Sequence, residues 1–153
     1  MAGNNDLVVF ALGERTIGIP SAIVRELLRA VAITELPGAP AGVTGVIDLR
    51  GELVPVVDLS ERLGLPARAV RAADQLVICQ GATGALAVRA DRVLELRVLE
   101  LEPLPAGAEA DPIVGGLART ADGVIVIAEL AAFLAEPDLA ALATSIARLG
   151  AGG

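Results

Sequence analysis

The sequence predicts a mainly β chain built as two small barrels packed together. Three observations carry that prediction. Short runs rich in Val, Ile and Leu are separated by turns that contain Gly. The core must be aliphatic, because hydrophobic residues make up 54% of 153 residues while the aromatics are two Phe alone. The pattern also recurs along the chain at a nearly constant offset.

The recurrence is found by sliding the sequence on itself. A shift of 71 lays Gly45 on Gly116, Asp58 on Glu129, Leu59 on Leu130 and Leu63 on Leu134, with "LVPVVDL" over "VIVIAEL". A shift of 69 lays "TIGIPSAIVREL" (Thr16 to Leu27) on "ALAVRADRVLEL" (Ala85 to Leu96), and "LVVF" (Leu7 to Phe10) on "LVIC" (Leu76 to Cys79). Three collinear blocks indicate one domain over 1–153 made of two related halves, about 7–66 and 74–135, meeting near Pro66 to Asp74. A half of that size is marginal alone, so the halves are expected to share apolar surface and fold together.

The elements follow in order. Leu7 to Leu12 and Arg15 to Pro20 read as strands joined by a tight connection. Ser21 is expected to cap a helical turn over Ala22 to Val24. Most of "RELLRAVAITEL" reads as strand, with β-branched Val31 and Ile33, and Pro37 to Gly42 as loop. Thr44 to Leu49 and Glu52 to Val57 form a hairpin with Arg50-Gly51 at its tip, where Gly supplies a positive φ. Pro55 cannot donate to a ladder, which predicts an edge strand or a bulge. Asp58 is expected to cap the helical turn in "LSERLGL". In the second half, Ile113 to Arg119 and Val124 to Ala128 flank the turn Ala121-Asp122-Gly123, and a helix begins near Glu129. A C-terminal helix over about 137–149 aligns Leu139, Leu142, Ile146 and Leu149 in one stripe.

Composition narrows the function. Net charge is −7 and all twelve basic residues are Arg. An acidic surface repels phosphate backbones and anionic lipid, so neither nucleic acid nor direct membrane insertion is expected. Uncharged stretches such as Leu36 to Ile47 are too short and too broken to span a bilayer. Met1 to Asp6 lacks a basic n-region, and a cytoplasmic location is expected. The single Cys79 reads as a buried small hydrophobe.

Chemistry is sparse. The chain has no His, which removes the usual general base and most transition-metal sites. It holds no Walker loop, G-x-G-x-x-G or G-x-S-x-G pattern. Gly81 to Gly84 lies between two strands and reads as a hairpin loop rather than a phosphate cradle. No catalytic residue, cofactor or metal ligand is assigned. Asp48, Glu52 and Asp58 cluster in sequence, which leaves a carboxylate-dependent hydrolase as a remote alternative. Glu26 and Arg50 are charged residues in apolar surroundings, and opposite charges there tend to pair. Glu26 recurs as Glu95, but Arg50 faces Ala121, so the fold does not require an arginine at that place. The pair reads either as a solvated surface pair worth little or as a partner-facing pair that orients an interface, and the asymmetry favours the second for Arg50.

"AIVREL", "PGAPAGVTGVIDLRGELVPVVDLSERLGL", "RADRVLEL" and "GGLARTADGVIVIAELAAFL" together resemble the chemotaxis coupling protein family, CheW, over roughly Leu7 to Leu134. The resemblance implies two intertwined five-stranded SH3-like barrels. It implies a non-enzymatic adaptor joining the cytoplasmic tips of chemoreceptors to the regulatory domain of a histidine kinase, docked barrel against barrel. Val24 and Glu26 match the family's V-x-E element, and Arg50 and Gly51 its L-R-G; in the family these lie on or near the receptor-binding face. A groove between the barrels is expected to take an apolar helix tip. The chain departs from the family pattern at Asp48, Pro20, Arg89 and Glu129, the last three bearing on kinase contacts. An adaptor of the same fold in a pathway controlling surface motility or development is the alternative function.

Overall fold

The computed structural model describes residues 4–29, 32–81, 84–104, 111–137, 139–142 and 145–146. Ten strands run in chain order: β1 (Asn4–Leu12), β2 (Arg15–Pro20), β3 (Val24–Arg29), β4 (Val43–Leu49), β5 (Glu52–Val57), β6 (Gln75–Gly81), β7 (Gly84–Ala90), β8 (Arg92–Glu100), β9 (Val114–Thr120) and β10 (Gly123–Ala128), followed by the short helix α1 (Leu130–Leu134). They form two five-stranded SH3-like barrels. Barrel A has the order β8-β1-β2-β10-β9 and barrel B the order β3-β6-β7-β5-β4. With β6 to β10 counted as a second run of five, both orders read third, first, second, fifth, fourth. The barrels exchange strands across the segment 66–74: A takes β1 and β2 from before it and three strands from after it, and B does the reverse.

Each barrel closes by one bridge made just beyond its third strand. In B, Thr34 exchanges both backbone hydrogen bonds with Val46, each 2.9 Å. In A, Glu102 does the same with Leu117, at 2.7 and 2.9 Å. The closing backbone presses on a glycine of the fourth strand in both cases. A Cβ on Gly45 would lie 2.2 Å from the Thr34 carbonyl oxygen, and one on Gly116 would lie 3.1 Å from that of Glu102. The alignment of these two glycines therefore has a steric cause.

The apolar runs are continuous rather than alternating because the central strands are buried on both faces. Leu76 and Ile78 of β6 face a cluster inside barrel B with Ile47, Leu49, Val54 and Val56. The residues between and after them, Val77 and Cys79, face a second cluster that also holds Phe10, Leu12, Ile17 and Ile19 of barrel A. Leu7, Val9, Ile125 and Ile127 fill barrel A. One shared apolar layer thus joins two barrel interiors, and neither barrel can shed the other without exposing it. Cys79 belongs to this layer, and burial pushes its thiol up to about 12.

Some local expectations change. Strand β3 ends at Arg29, and among the described residues between it and β4 only Thr34 makes a β-bridge; Val31 lies outside the described residues. Ser21 makes no side-chain cap: it is the first residue of a 3₁₀ turn, Ser21–Ile23, that follows Pro20. Pro55 sits in β5, an interior strand between β7 and β4 rather than an edge. Its partner Val46 sends both backbone groups to Thr34, so the Val46–Pro55 pair carries no ladder bonds. The proline nitrogen faces β7, whose parallel pairing begins only at Val56. A register shift lies next to it, between Val43 and Gly45. Gly81 and Gly84 pair as a hairpin, while Ala82 and Thr83 lie outside the described residues. Residues 137, 139–142 and 145–146 are helical, with Leu139 and Ile146 buried; Leu149 is outside the described residues.

Candidate functional site: a charged corner of barrel B

The corner is built by the β4–β5 hairpin and by β3. Leu49 pairs with Glu52, which leaves Arg50-Gly51 as a two-residue turn. Both turn residues have positive φ, 53° at Arg50 and 89° at Gly51. That is the geometry whose twist suits a tight hairpin. Asp48 stabilises the turn by accepting the Gly51 N–H at 2.7 Å. Arg50 is the only non-glycine residue with positive φ among the described residues. An L side chain is disfavoured there, so Arg50 is held against its backbone preference.

Arg50 spans the corner to β3. Its Nη1 and Nη2 donate to Glu26 Oε1 and Oε2 at 3.2 and 2.5 Å, a two-pronged pair. The arginine side chain is 65% exposed and the glutamate 28%. The hydrogen bond from Arg50 holds the Glu26 carboxyl below its ordinary range against the opposing effect of desolvation, and the Glu26 hydrogen bond raises the Arg50 guanidinium. Strand β3 reaches this place through a bulge: Val24 pairs with Cys79 and Glu26 with Ile78, so Arg25 is skipped. The bulge re-aims the strand. Val24 is half-buried and packs on the shared core, while Glu26, Arg50 and exposed Gly51 meet at the corner.

Three further residues belong to the corner: Arg25 and Gln80, not singled out in the sequence, and Glu52, noted there only as one of three clustered carboxylates. Arg25 Nη1 donates to Glu52 Oε1 and to Gln80 Oε1, both at 3.2 Å. The result is a quartet of alternating sign: Arg25, Glu26, Arg50 and Glu52. The adjacent charges of "VRE" and of "RGE" were its signal, but only the fold shows that they converge.

A second charged cluster lies at the end of β7. Arg89, 1% exposed, donates from Nε to Asp58 at 2.8 Å and from Nη1 to Asp91 at 2.8 Å, with Asp74 at 3.4 Å. Arg68 binds Asp74 with two bonds, at 2.6 and 2.9 Å, and Asp91 at 2.5 Å. Asp91 also accepts the Gly13 N–H from the β1–β2 turn of barrel A. The cluster thereby pins the segment 66–74 to both barrels. Asp58 caps the start of its helical turn as expected, by accepting the N–H two residues on. Its Oδ1 accepts the Ser60 N–H and hydroxyl, its Oδ2 takes Arg89, and the 3₁₀ turn Glu61–Leu63 follows. Glu129 does cap α1, accepting the Ala131 N–H.

Asp48, Glu52 and Asp58 do not come together as one group. Asp48 and Glu52 flank the hairpin tip, whereas Asp58 lies past the far end of β5 and has both oxygens engaged. No group of three metal-ligating side chains occurs among the described residues. Among them, no helix is long and apolar enough to cross a membrane.

Comparison with known proteins agrees with this architecture. The CheW-like domain matches residues 6–138. The chain is 30% identical over 106 residues to the chemotaxis protein CheW of Rhizobium meliloti (strain 1021), covering 67% of this chain and 68% of that protein. It is 38% identical over 106 residues to protein FrzA of Myxococcus xanthus, covering 66% and 65%. The crystal structure of the scaffolding protein TtCheW from Thermoanaerobacter tengcongensis superposes with a TM-score of 0.74 at 31% identity, covering 83% of this chain and 85% of that one. With barrels, shared core and charged corner in place, the chain belongs to the CheW-like domain family of chemotaxis coupling adaptors.

Proposed function

We propose that this chain is a non-enzymatic cytoplasmic adaptor, and that Glu26, Arg50 and Gly51, backed by Val24, receive the cytoplasmic tip of a chemoreceptor while another face engages the regulatory domain of a histidine kinase. One observation carries the site assignment: an arginine at φ 53°, 65% exposed, is oriented by both oxygens of Glu26. A turn selected for stability alone would place Asn or Gly there. The equivalent place in barrel A, Ala121, carries no such group. The shared strand order of the two barrels supports a single domain of two related halves, about 7–66 and 74–135.

The test is binding of Arg50→Glu to receptor cytoplasmic fragments. Loss of binding with an unchanged circular dichroism spectrum is expected, and the double exchange Glu26→Arg with Arg50→Glu should recover part of it. Undiminished binding by the folded single variant would overturn the site.

A second reading keeps the adaptor and changes the output to surface motility or development. Matches to relatives not named for chemotaxis favour it: FrzA, and protein PilI of Pseudomonas aeruginosa at 40% identity over 55 residues. The identity of the kinase captured from the source cells distinguishes the two.

A further inference from the structure

Strand β8 turns an apolar strip to solvent. Leu94, Leu96 and Val98 are 41%, 65% and 58% exposed, and exposed Arg92 and Glu100 stand at its two ends. β1 covers one edge of β8. Among the described residues no strand pairs with the other edge along Arg92–Glu100; the bridge that closes barrel A lies beyond it at Glu102. A long apolar strand with a free edge is a template for strand addition.

The residues of β8 identify the occupant. Its sequence, RVLELRVLE, is its own complement when turned end for end. Two copies set antiparallel about Leu96 place Arg92 opposite Glu100, Leu94 opposite Val98, Glu95 opposite Arg97, and Leu96 opposite its own copy. Each charge then meets its opposite and each apolar side chain another, the pairing that stabilises facing strands. Sliding the copies by two residues one way puts Glu95 against Glu95; sliding them the other way puts Arg97 against Arg97. The charges therefore pin the register. Within one chain Arg97 and Glu95 are only loosely paired, at 3.6 Å, with 32% and 57% of their side chains exposed. Strand β3, in the same place in barrel B, exposes only Leu27 among its large hydrophobics and is engaged through Glu26 with Arg50.

We propose that two copies of this chain associate through antiparallel pairing of β8 about Leu96, forming a two-fold interface made by barrel A. The contact is isologous, so it closes after two copies. Leu94 is skipped in the pairing with β1, and this bulge twists one end of the strand, which centres the contact on 95–97. A single strand pair buries well under the ~1,000 Å² of a durable interface, so association is weak and concentration-dependent.

Sedimentation velocity from about 10 μM to about 1 mM, a range set by that weak affinity, should show the mean mass rising from one chain toward two. Leu96→Glu should lower the association constant at least ~10-fold with an unchanged circular dichroism spectrum, as a buried like-charge pair demands. Arg92→Glu and Glu100→Arg should each weaken association, and an equimolar mixture of the two should restore it. Under oxidation Leu96→Cys should form a linked dimer faster than Leu27→Cys, since buried Cys79 does not compete. A single-chain mass at the highest concentration overturns the proposal. So does wild-type association by folded Leu96→Glu, or equal linking of the two cysteine variants.

Discussion

Arg89 lies 2.8 Å from Asp58, a charge pair in which the arginine side chain is 1% exposed. Burial alone would lower the guanidinium's affinity for its proton, but hydrogen bonds to Asp58 and Asp91 outweigh it and the net shift is upward. Replacing Arg89 by Met leaves carboxylates facing a poorly hydrated space. Removing one member of a buried pair costs about 3–5 kcal/mol. Urea denaturation followed by circular dichroism measures this, because the chain has neither Trp nor Tyr for fluorescence. Adding Asp58→Asn to Arg89→Met should recover part of the loss.

The same cluster sets the acid limit of the fold. Burial pushes the Asp74 and Asp91 carboxyls up, but hydrogen bonds from Arg68 and the Arg71 N–H to Asp74, and from Arg89, the Gly13 N–H and Arg68 to Asp91, hold both below the usual range. Asp111 is lowered chiefly by Arg62. A carboxyl depressed in the folded state stabilises it above the unfolded pKa, and that stability is lost as pH falls through the folded value. The urea midpoint should therefore be flat from about pH 5 to about pH 8, there being no His to titrate, and should drop below about pH 4. A step between pH 6 and 7 would contradict the assignment.

The closing glycines give a graded prediction. Gly45→Ala forces a Cβ to 2.2 Å from a backbone oxygen and should cost about 3 kcal/mol, opening the Thr34–Val46 bridge. Gly116→Ala meets its neighbour at 3.1 Å and should cost about 1 kcal/mol. Amide hydrogen exchange at Val46 and Leu117 reads the two closures separately.

Arg50→Gly should separate stability from binding. Glycine adopts the left-handed conformation without penalty, so the melting temperature should hold or rise although the pair with Glu26 is gone. Receptor binding should fall, as is expected for Arg50→Glu.

Cys79 should resist thiol reagents at pH 8 in the native protein and react on unfolding, since burial raises its thiol to about 12. Rapid native labelling would mean that the layer joining the barrels opens readily.

Local chemistry was the legible part of this fold. The Arg50-Gly51 tip, the β4 and β5 boundaries and the recurring glycine all follow from turn geometry and strand period, which act over a few residues. Hairpin partners such as β1 with β2 and β4 with β5 were legible too, but the pairings between hairpins were not. The pairing of β1 with β8 joins residues some ninety positions apart, and nothing in "LVVF" specifies which distant strand will cover it. Of the two readings of Pro55, the bulge holds, since a register shift lies beside it, and the edge does not: a missing donor identifies the unpaired side of a residue, not the position of its strand in the sheet. The convergence of Arg25, Glu52 and Gln80, and the burial of Arg89 among three aspartates, are likewise products of long-range closure.

Strand exchange also orders events during synthesis. Barrel B is contiguous, from β3 to β7, and is complete once Ala90 has emerged. Barrel A must keep its opening hairpin waiting for β8, β9 and β10, the last ending at Ala128. At ribosomal speeds of about 5–20 residues per second, that wait is roughly 5–20 s. For that interval Leu7 and Val9, which pack on Ile125 and Ile127, lack their partners, so a chaperone that shields early hairpins should raise the yield of this protein more than that of one whose barrels are each encoded in a single stretch.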